Sequence, residues 1–193
     1  MIRFECDYAE GAHERILKRM IETNMEQTPG YGLDPHCERA RELIKKECGK
    51  DVNVHFIVGG TQTNMIVLAS LLKPYQGALC ANTGHIEAHE TGAIEATGHK
   101  VMTLPSDDGK IRAEQIANAV EWHYAQGNRE HITQPGAVYI SHPTENGTTY
   151  TKDELAEISA TCRKYNLPLF LDGARLGYGM AAPDSTITMK DLA

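Results

Sequence analysis

Apolar and polar positions recur along this chain with two different periods, and the change of period divides it. From Ala12 to about Asn24, the residues Ile16, Leu17, Met20 and Ile21 fall at spacings that form one stripe of a helix. A turn-rich loop, Thr28-Pro29-Gly30-Tyr31-Gly32, follows. A second helix is predicted from Pro35, a residue suited to a first turn, to Cys48, with Gly49 as its stop. Its charges, among them Arg39, Glu42, Lys45 and Lys46, read as a solvated face.

From Val52 onward, short apolar runs alternate with helix-length amphipathic ones. Strands are predicted at residues 52–58, 78–81, 100–104, 137–141 and 169–171. Helices are predicted at 64–72, about 86–97, about 112–126 and 152–165. Strands separated by helices of this length imply an α/β fold, a mainly parallel sheet with helices on both faces. Leu169-Phe170-Leu171 is the apolar run of a strand covered on both faces, and it ends on Asp172. Residues 188–193 read as the start of a helix with no strand after it, so the chain is expected to be the front part of something longer. Two regions result: an amino-terminal arm with helices over residues 1–48, a candidate subunit interface, and a sheet-bearing part over 49–193.

Composition narrows the class. Hydrophobic residues make up 41% and charged residues 23%, the balance of a globular protein rather than a disordered or fibrous one. The formal net charge of −7 argues against a nucleic-acid or anionic-membrane surface, which needs a basic face. A local anion site built from backbone amides is compatible with that charge. Cys6, Cys37, Cys48, Cys80 and Cys162 are widely spaced with no C-x-x-C pair, which points to reduced thiols rather than a disulfide framework or a zinc knuckle. Met1-Ile2-Arg3-Phe4-Glu5 lacks the basic and apolar regions of a signal peptide. No apolar run nears the roughly 18 residues of a membrane span. A cytoplasmic protein is the expectation.

Chemistry-bearing residues gather where strands are predicted to end. In Val58-Gly59-Gly60-Thr61-Gln62-Thr63-Asn64, glycines let backbone amides approach an anion, and the helix amino terminus favours negative charge. The stretch is neither G-x-G-x-x-G nor a P-loop. It reads either as a phosphate cradle or as a tight turn in which Thr61 or Thr63 caps the helix. In Thr83-Gly84-His85-Ile86-Glu87-Ala88-His89-Glu90, the two histidines are four apart and share a face if helical. That spacing admits a metal pair, a surface helix with satisfied histidines, or an imidazole presented beside a ligand. The order is not H-E-x-x-H and no third ligand follows from spacing, so no metal is expected. Ser141-His142-Pro143-Thr144-Glu145-Asn146-Gly147-Thr148 follows a strong strand, although Asn146-Gly147 also has the chemistry of a plain turn. Asp172 lies where open α/β sheets bind ligands, and an acid there is desolvated unless a cation meets it. An anion cradle and an acid at one sheet edge suit a ligand with a phosphate at one end and a basic nitrogen at the other; pyridoxal phosphate is such a molecule.

On these residues the sequence resembles the threonine aldolase family of fold type I pyridoxal-phosphate enzymes, in the aromatic amino acid β-eliminating lyase/threonine aldolase group. Gly60-Thr61, His85-Ile86 followed by Glu90-Thr91-Gly92-Ala93, and Asp172-Gly173-Ala174-Arg175-Leu176 carry the resemblance, in that order. It implies that Gly60, Thr61 and the Gln62 amide hold the phosphate, and that His85 stacks on the pyridine ring and serves the substrate hydroxyl proton. It also implies that Asp172 keeps the ring nitrogen protonated and that Arg175 contacts the ring oxygen side or the substrate carboxylate. Glu90 would support His85 or a catalytic water. The implied reaction is retro-aldol cleavage of a β-hydroxy-α-amino acid, L-threonine or L-allo-threonine, to glycine and acetaldehyde, in a homodimer or homotetramer. The alternatives are another β-eliminating lyase or racemase of the same fold, and a non-catalytic module that kept the fold.

The chain departs from the family pattern twice. Cys6-Asp7 stands where members carry serine before the aspartate, at a substrate-carboxylate contact. Lys190, the sole lysine after Asp172, comes too early and outside the Ser/Thr-Lys context of the Schiff-base lysine. The chain is therefore expected to lack that lysine, the end of the large domain and the small domain, and to be inactive by itself.

Overall fold

The computed structural model describes residues 5–193, and Met1 to Phe4, where the signal-peptide reading begins, lie outside the described residues. The chain forms two units, one ending at Lys46 and one over Glu47–Ala193. In the first, helix α1 (Glu14–Thr23) opens where the His13 ring accepts the Arg15 N–H at 3.2 Å. Helix α2 (Pro35–Cys48) opens where Asp34 Oδ1 accepts the Cys37 N–H at 2.9 Å. The apolar stripe read from the sequence is on α1 as expected, but none of the described residues covers it: Ile16, Leu17, Met20 and Ile21 are all exposed. Helix α2 has its predicted bounds, and Gly49 follows at φ +66°, the left-handed stop that glycine adopts without a Cβ penalty.

The second unit is built on four parallel strands in the order β2-β1-β3-β4: β1 (Gln76–Ala81), β2 (Lys100–Leu104), β3 (Gln134–Ser141) and β4 (Leu169–Asp172). In β1 and β3 successive side chains go to opposite faces, and both faces are buried. Ala78, Cys80, Ala137 and Tyr139 pack with Leu68 and Leu72 of helix α3 (Gly60–Leu71) and its exit, and with Ile86 of the single-turn helix α4 (His85–Ala88). Leu79, Ala81, Val138 and Ile140 pack on the other face with Ile116 of helix α5 (Ala113–Ala125) and Ile158 and Cys162 of helix α6 (Lys152–Lys164). Continuous apolar strands with a helix layer on each side are the arrangement of a buried parallel sheet. Short helices α7 (Leu176–Ala181) and α8 (Met189–Leu192) follow β4, and Lys152 of α6 meets Asp191 of α8 at 2.5 Å.

Three expectations change. Residues 52–58 form no strand, because a strand needs a neighbour to pair with and no ladder includes them; Phe56 and Val58 are exposed. The helix expected over about 86–97 is broken into α4 and a 3₁₀ turn at Glu95–Thr97, since Thr91 and Gly92 sit at φ +51° and +77° between them. Strand β4 is half-buried rather than fully buried: Phe170 packs against the core on one face and Leu169 and Leu171 against that on the other, but among the described residues β3 is its one neighbour strand, so its outer edge is open.

Candidate active site

Parallel pairing brings the carboxyl ends of β1, β3 and β4 to one edge, and the register sets Ser141 beside Asp172. Asp172 is an acceptor on both oxygens. Its Oδ2 takes the Tyr139 hydroxyl at 2.6 Å and the Asn64 amide at 3.3 Å, while Oδ1 takes the Ala174 N–H at 3.0 Å. Tyr139 is fully buried in the middle of the sheet. Burial first, and the Asp172 charge after it, push its phenol well above the ordinary range, so it remains a protonated donor.

The Asn64 amide also donates to Glu90 Oε1 at 2.6 Å, and that oxygen meets His85 Nδ1 at 2.7 Å. A carboxylate partner assigns the proton to Nδ1 and, in the neutral ring, leaves the lone pair on Nε2. The Glu90 side chain is wholly buried, whereas 40% of the His85 side chain is exposed, so the imidazole is the part of this pair that an incoming molecule meets. From the other side, Glu145 Oε1 accepts the main-chain N–H of His85 at 3.0 Å and the Ser141 hydroxyl at 2.5 Å. Ser141 Oγ, its proton given to Glu145, lies 3.5 Å from the Tyr139 oxygen, so the two ends of this chain of hydrogen bonds meet in contact. Seven residues thus form one polar ring: His85, Glu90, Asn64, Asp172, Tyr139, Ser141 and Glu145.

Beside this ring stands the amino terminus of α3. Gly59 is its N-cap at φ +84°, a conformation that favours glycine, and no side chain caps the helix. Neither threonine caps the helix: Thr61 makes no cap, and Thr63 donates its hydroxyl to the Gly59 carbonyl at 2.9 Å. The first-turn amides of Gly60, Thr61 and Gln62 have no intrahelical acceptor, and a Cβ built at Gly59 or Gly60 would meet no atom within 4 Å. Open space over unpaired helical amides is what a phosphate needs.

Of the residues singled out in the sequence, His85, Glu90 and Asp172 are brought into one ring. Gly60, Thr61 and Gln62 form the open first turn of α3. Arg175 is half-buried at the N-cap of α7, three residues past Asp172. His85 and His89 lie on one side of the one-turn helix α4: the C-cap His89 gives its N–H to the His85 carbonyl at 3.0 Å, and the two ring centroids are 5.3 Å apart. Among the described residues no group of three or more His, Cys, Asp or Glu could hold a metal. Lys190 is exposed on α8 with its stem over Gly49. Ser141, Glu145 and Asn64 lie in stretches that the sequence marks at strand exits, but it gives none of them a role, and Tyr139 carries no mark of its own. Two signals could have found the rest: Asn64 is a polar residue four before Leu68 on the buried face of α3, and Tyr139 puts a hydroxyl in the inward alternation of β3.

The beta-eliminating lyase family model matches residues 5–188. The chain belongs to this family. It is 33% identical over 181 residues to a low specificity L-threonine aldolase from a Pseudomonas strain, a match covering 93% of this chain and 51% of that one. The solved threonine aldolase of Leishmania major superposes with a TM-score of 0.91 at 48% identity, over 96% of this chain and 54% of that chain. An archaeal alanine:glyoxylate aminotransferase, at 20% identity and a TM-score of 0.69, shares the fold, covering 92% of this chain. The beta-eliminating lyase chain described here thus has the α/β fold of the fold type I pyridoxal-phosphate enzymes, and it spans about half the length of the curated relatives it matches. None of its described helices is long and apolar enough to cross a membrane.

Proposed function

We propose that this chain supplies the cofactor-binding edge of a pyridoxal-phosphate-dependent aldolase that cleaves β-hydroxy-α-amino acids such as L-threonine and L-allo-threonine to glycine and acetaldehyde. The observation that carries the reading is the ring itself: an acid that only accepts, Asp172, and an imidazole oriented by a buried carboxylate, His85 with Glu90, are held in one circuit next to an uncapped helix amino terminus. These residues fit the cofactor. The amides of Gly60, Thr61 and Gln62 would take its phosphate, and Asp172 would face its ring nitrogen, with Tyr139 and Asn64 holding the carboxylate in place. His85 would lie against the pyridine face, and Arg175 would take the ring oxygen side or the substrate carboxylate. When bound, pyridoxal phosphate supplies the electron sink for the bond broken at the substrate Cα.

The protein's own part is to place groups and move one proton. With Nδ1–H given to Glu90, His85 Nε2 accepts the proton of the substrate hydroxyl as the Cα–Cβ bond breaks. The hydroxyl carbon leaves as the aldehyde, and a proton returned to Cα completes glycine. Lys190 has no part in this reading, and the cofactor's lysine is taken to come from outside these 193 residues. Cysteine in place of serine at position 6 leaves the amino-terminal arm without the hydroxyl expected to contact a substrate carboxylate, and Arg175 is the residue proposed to serve that carboxylate. The test is to incubate the whole protein, loaded with cofactor, with L-threonine, L-allo-threonine and L-serine. Glycine and acetaldehyde from at least one threonine isomer are expected; no glycine from either would sink the aldolase reading.

A further inference from the structure

The stretch after β3 contributes a residue that the reaction outlined above does not use. Glu145 reaches across the site to accept the His85 main-chain N–H at 3.0 Å, sixty positions away in sequence. That N–H belongs to the first residue of α4, a helix whose N-cap, Gly84, offers no side-chain cap. The same Glu145 oxygen takes the Ser141 hydroxyl, and its other oxygen is buried without a hydrogen-bond partner among the described residues. The loop that carries Glu145 is itself anchored. Thr148 donates to the Asp108 carbonyl at 2.6 Å, the Ile111 N–H donates to the Tyr150 hydroxyl at 2.9 Å, and Gly109 at φ +85° lies so close to Thr144 that a Cβ would fall 2.8 Å from its hydroxyl.

His85 is therefore gripped twice, by Glu90 at ring Nδ1 and by Glu145 at its main-chain nitrogen. Gripping the ring alone would leave the turn beneath it free to shift, because a single helical turn is unstable on its own. We propose that Glu145 is a positioning residue that fixes the backbone of His85, so that the imidazole held by Glu90 points at one place. The proposal rests on the aldolase reading for its kinetic consequence and on the hydrogen bond alone for its structural one.

Two substitutions separate reach from charge. Glu145→Gln keeps an acceptor oxygen at the same reach and removes the charge. Glu145→Asp keeps the charge but withdraws the acceptor by about 1.5 Å, one methylene. Positioning requires that Gln retain kcat within about threefold and that Asp lower kcat by roughly 10- to 100-fold with little change in KM, the scale of a misplaced catalytic group. Hydrogen exchange at the His85 amide, measured by NMR on the whole protein without cofactor, gives a readout independent of catalysis. The amide is expected to be protected in the parent and in Glu145→Gln, and unprotected in Glu145→Asp. The opposite order, with Asp active and protected and Gln not, overturns the proposal, as does equal exchange in all three proteins. If the parent makes no glycine, the aldolase reading fails while the exchange measurement still decides the role of Glu145.

Discussion

At the scale of single residues, Asp172 is defined by what surrounds it. Three donors converge on it, from Tyr139, Asn64 and the Ala174 main chain. An acid placed where a sheet binds ligands could be read from the sequence, because the apolar run Leu169-Phe170-Leu171 ends on Asp172 and open α/β sheets bind ligands at the carboxyl ends of their strands. Its partners could not. Tyr139 and Asn64 are ordinary members of an apolar strand and an apolar helix until the strands pair and turn them to the same point. In the whole protein loaded with cofactor, Asp172→Ala is expected to weaken or blue-shift the visible band and to lower activity by orders of magnitude, since the ring nitrogen would lose the charge that keeps it protonated. Absorption spectra and steady-state rates check this, and near-normal turnover in the variant would remove the pyridinium role.

At the scale of elements, what could be read from the sequence was what local pattern determines. Helix α2 and strand β2 have their predicted bounds, and α6 ends within one residue of its own. Each is fixed by its period and its caps: Thr151 and Glu154, for example, form a reciprocal capping box at the start of α6. Residues 52–58 have the composition of a strand but no neighbour to complete a ladder, and no local signal carries that information. The break at Thr91 and Gly92 is a backbone event in a stretch whose apolar spacing suits a helix, and it decides that His85 and Glu90 face each other across a turn. The phosphate turn sits between these cases, with a glycine that is legible and a conformation that is not. Gly59→Ala meets no neighbouring atom, so its cost is the backbone alone at φ +84°. The variant is expected to lose about 1–3 kcal/mol of stability in urea titrations, or to rearrange the turn and release cofactor on dialysis. Unchanged stability together with unchanged retention would mean that the turn needs neither the glycine nor its conformation.

At the scale of the sheet-bearing unit, the site depends on loops that are tied together by charge on the far side of the ring. Glu154 ties the 110–112 segment to the start of α6: it accepts Lys110 Nζ at 2.8 Å, Arg112 Nη1 at 3.0 Å and the Thr151 N–H at 2.7 Å. Burial would raise its carboxyl, but the hydrogen bonds from Lys110 and Thr151 outweigh that and hold it below its ordinary value of 4.5. Asp108 is held below 3.8 chiefly by the Lys110 N–H, with Ser106 and Arg112 adding to it against some burial. The Asp108 carbonyl in turn anchors Thr148, on the loop that carries Glu145. A carboxyl depressed by folding is protonated first in the unfolded chain as pH falls, so the unfolded state binds more protons there. The stabilisation is complete above the unfolded values and is lost as pH drops through the folded ones. Stability of residues 47–193 is therefore expected to decline from about pH 4.5 downward, with amide protection over residues 142–150 lost before that of the β1 and β3 core. Lys110→Met removes the main cation from Glu154, brings its folded value back toward the unfolded one, and is expected to make that acid limb shallower. Urea midpoints measured across the acid range in both proteins read the two slopes directly, and equal slopes would show that the loops are held by packing and neutral hydrogen bonds rather than by the Lys110–Glu154 pair.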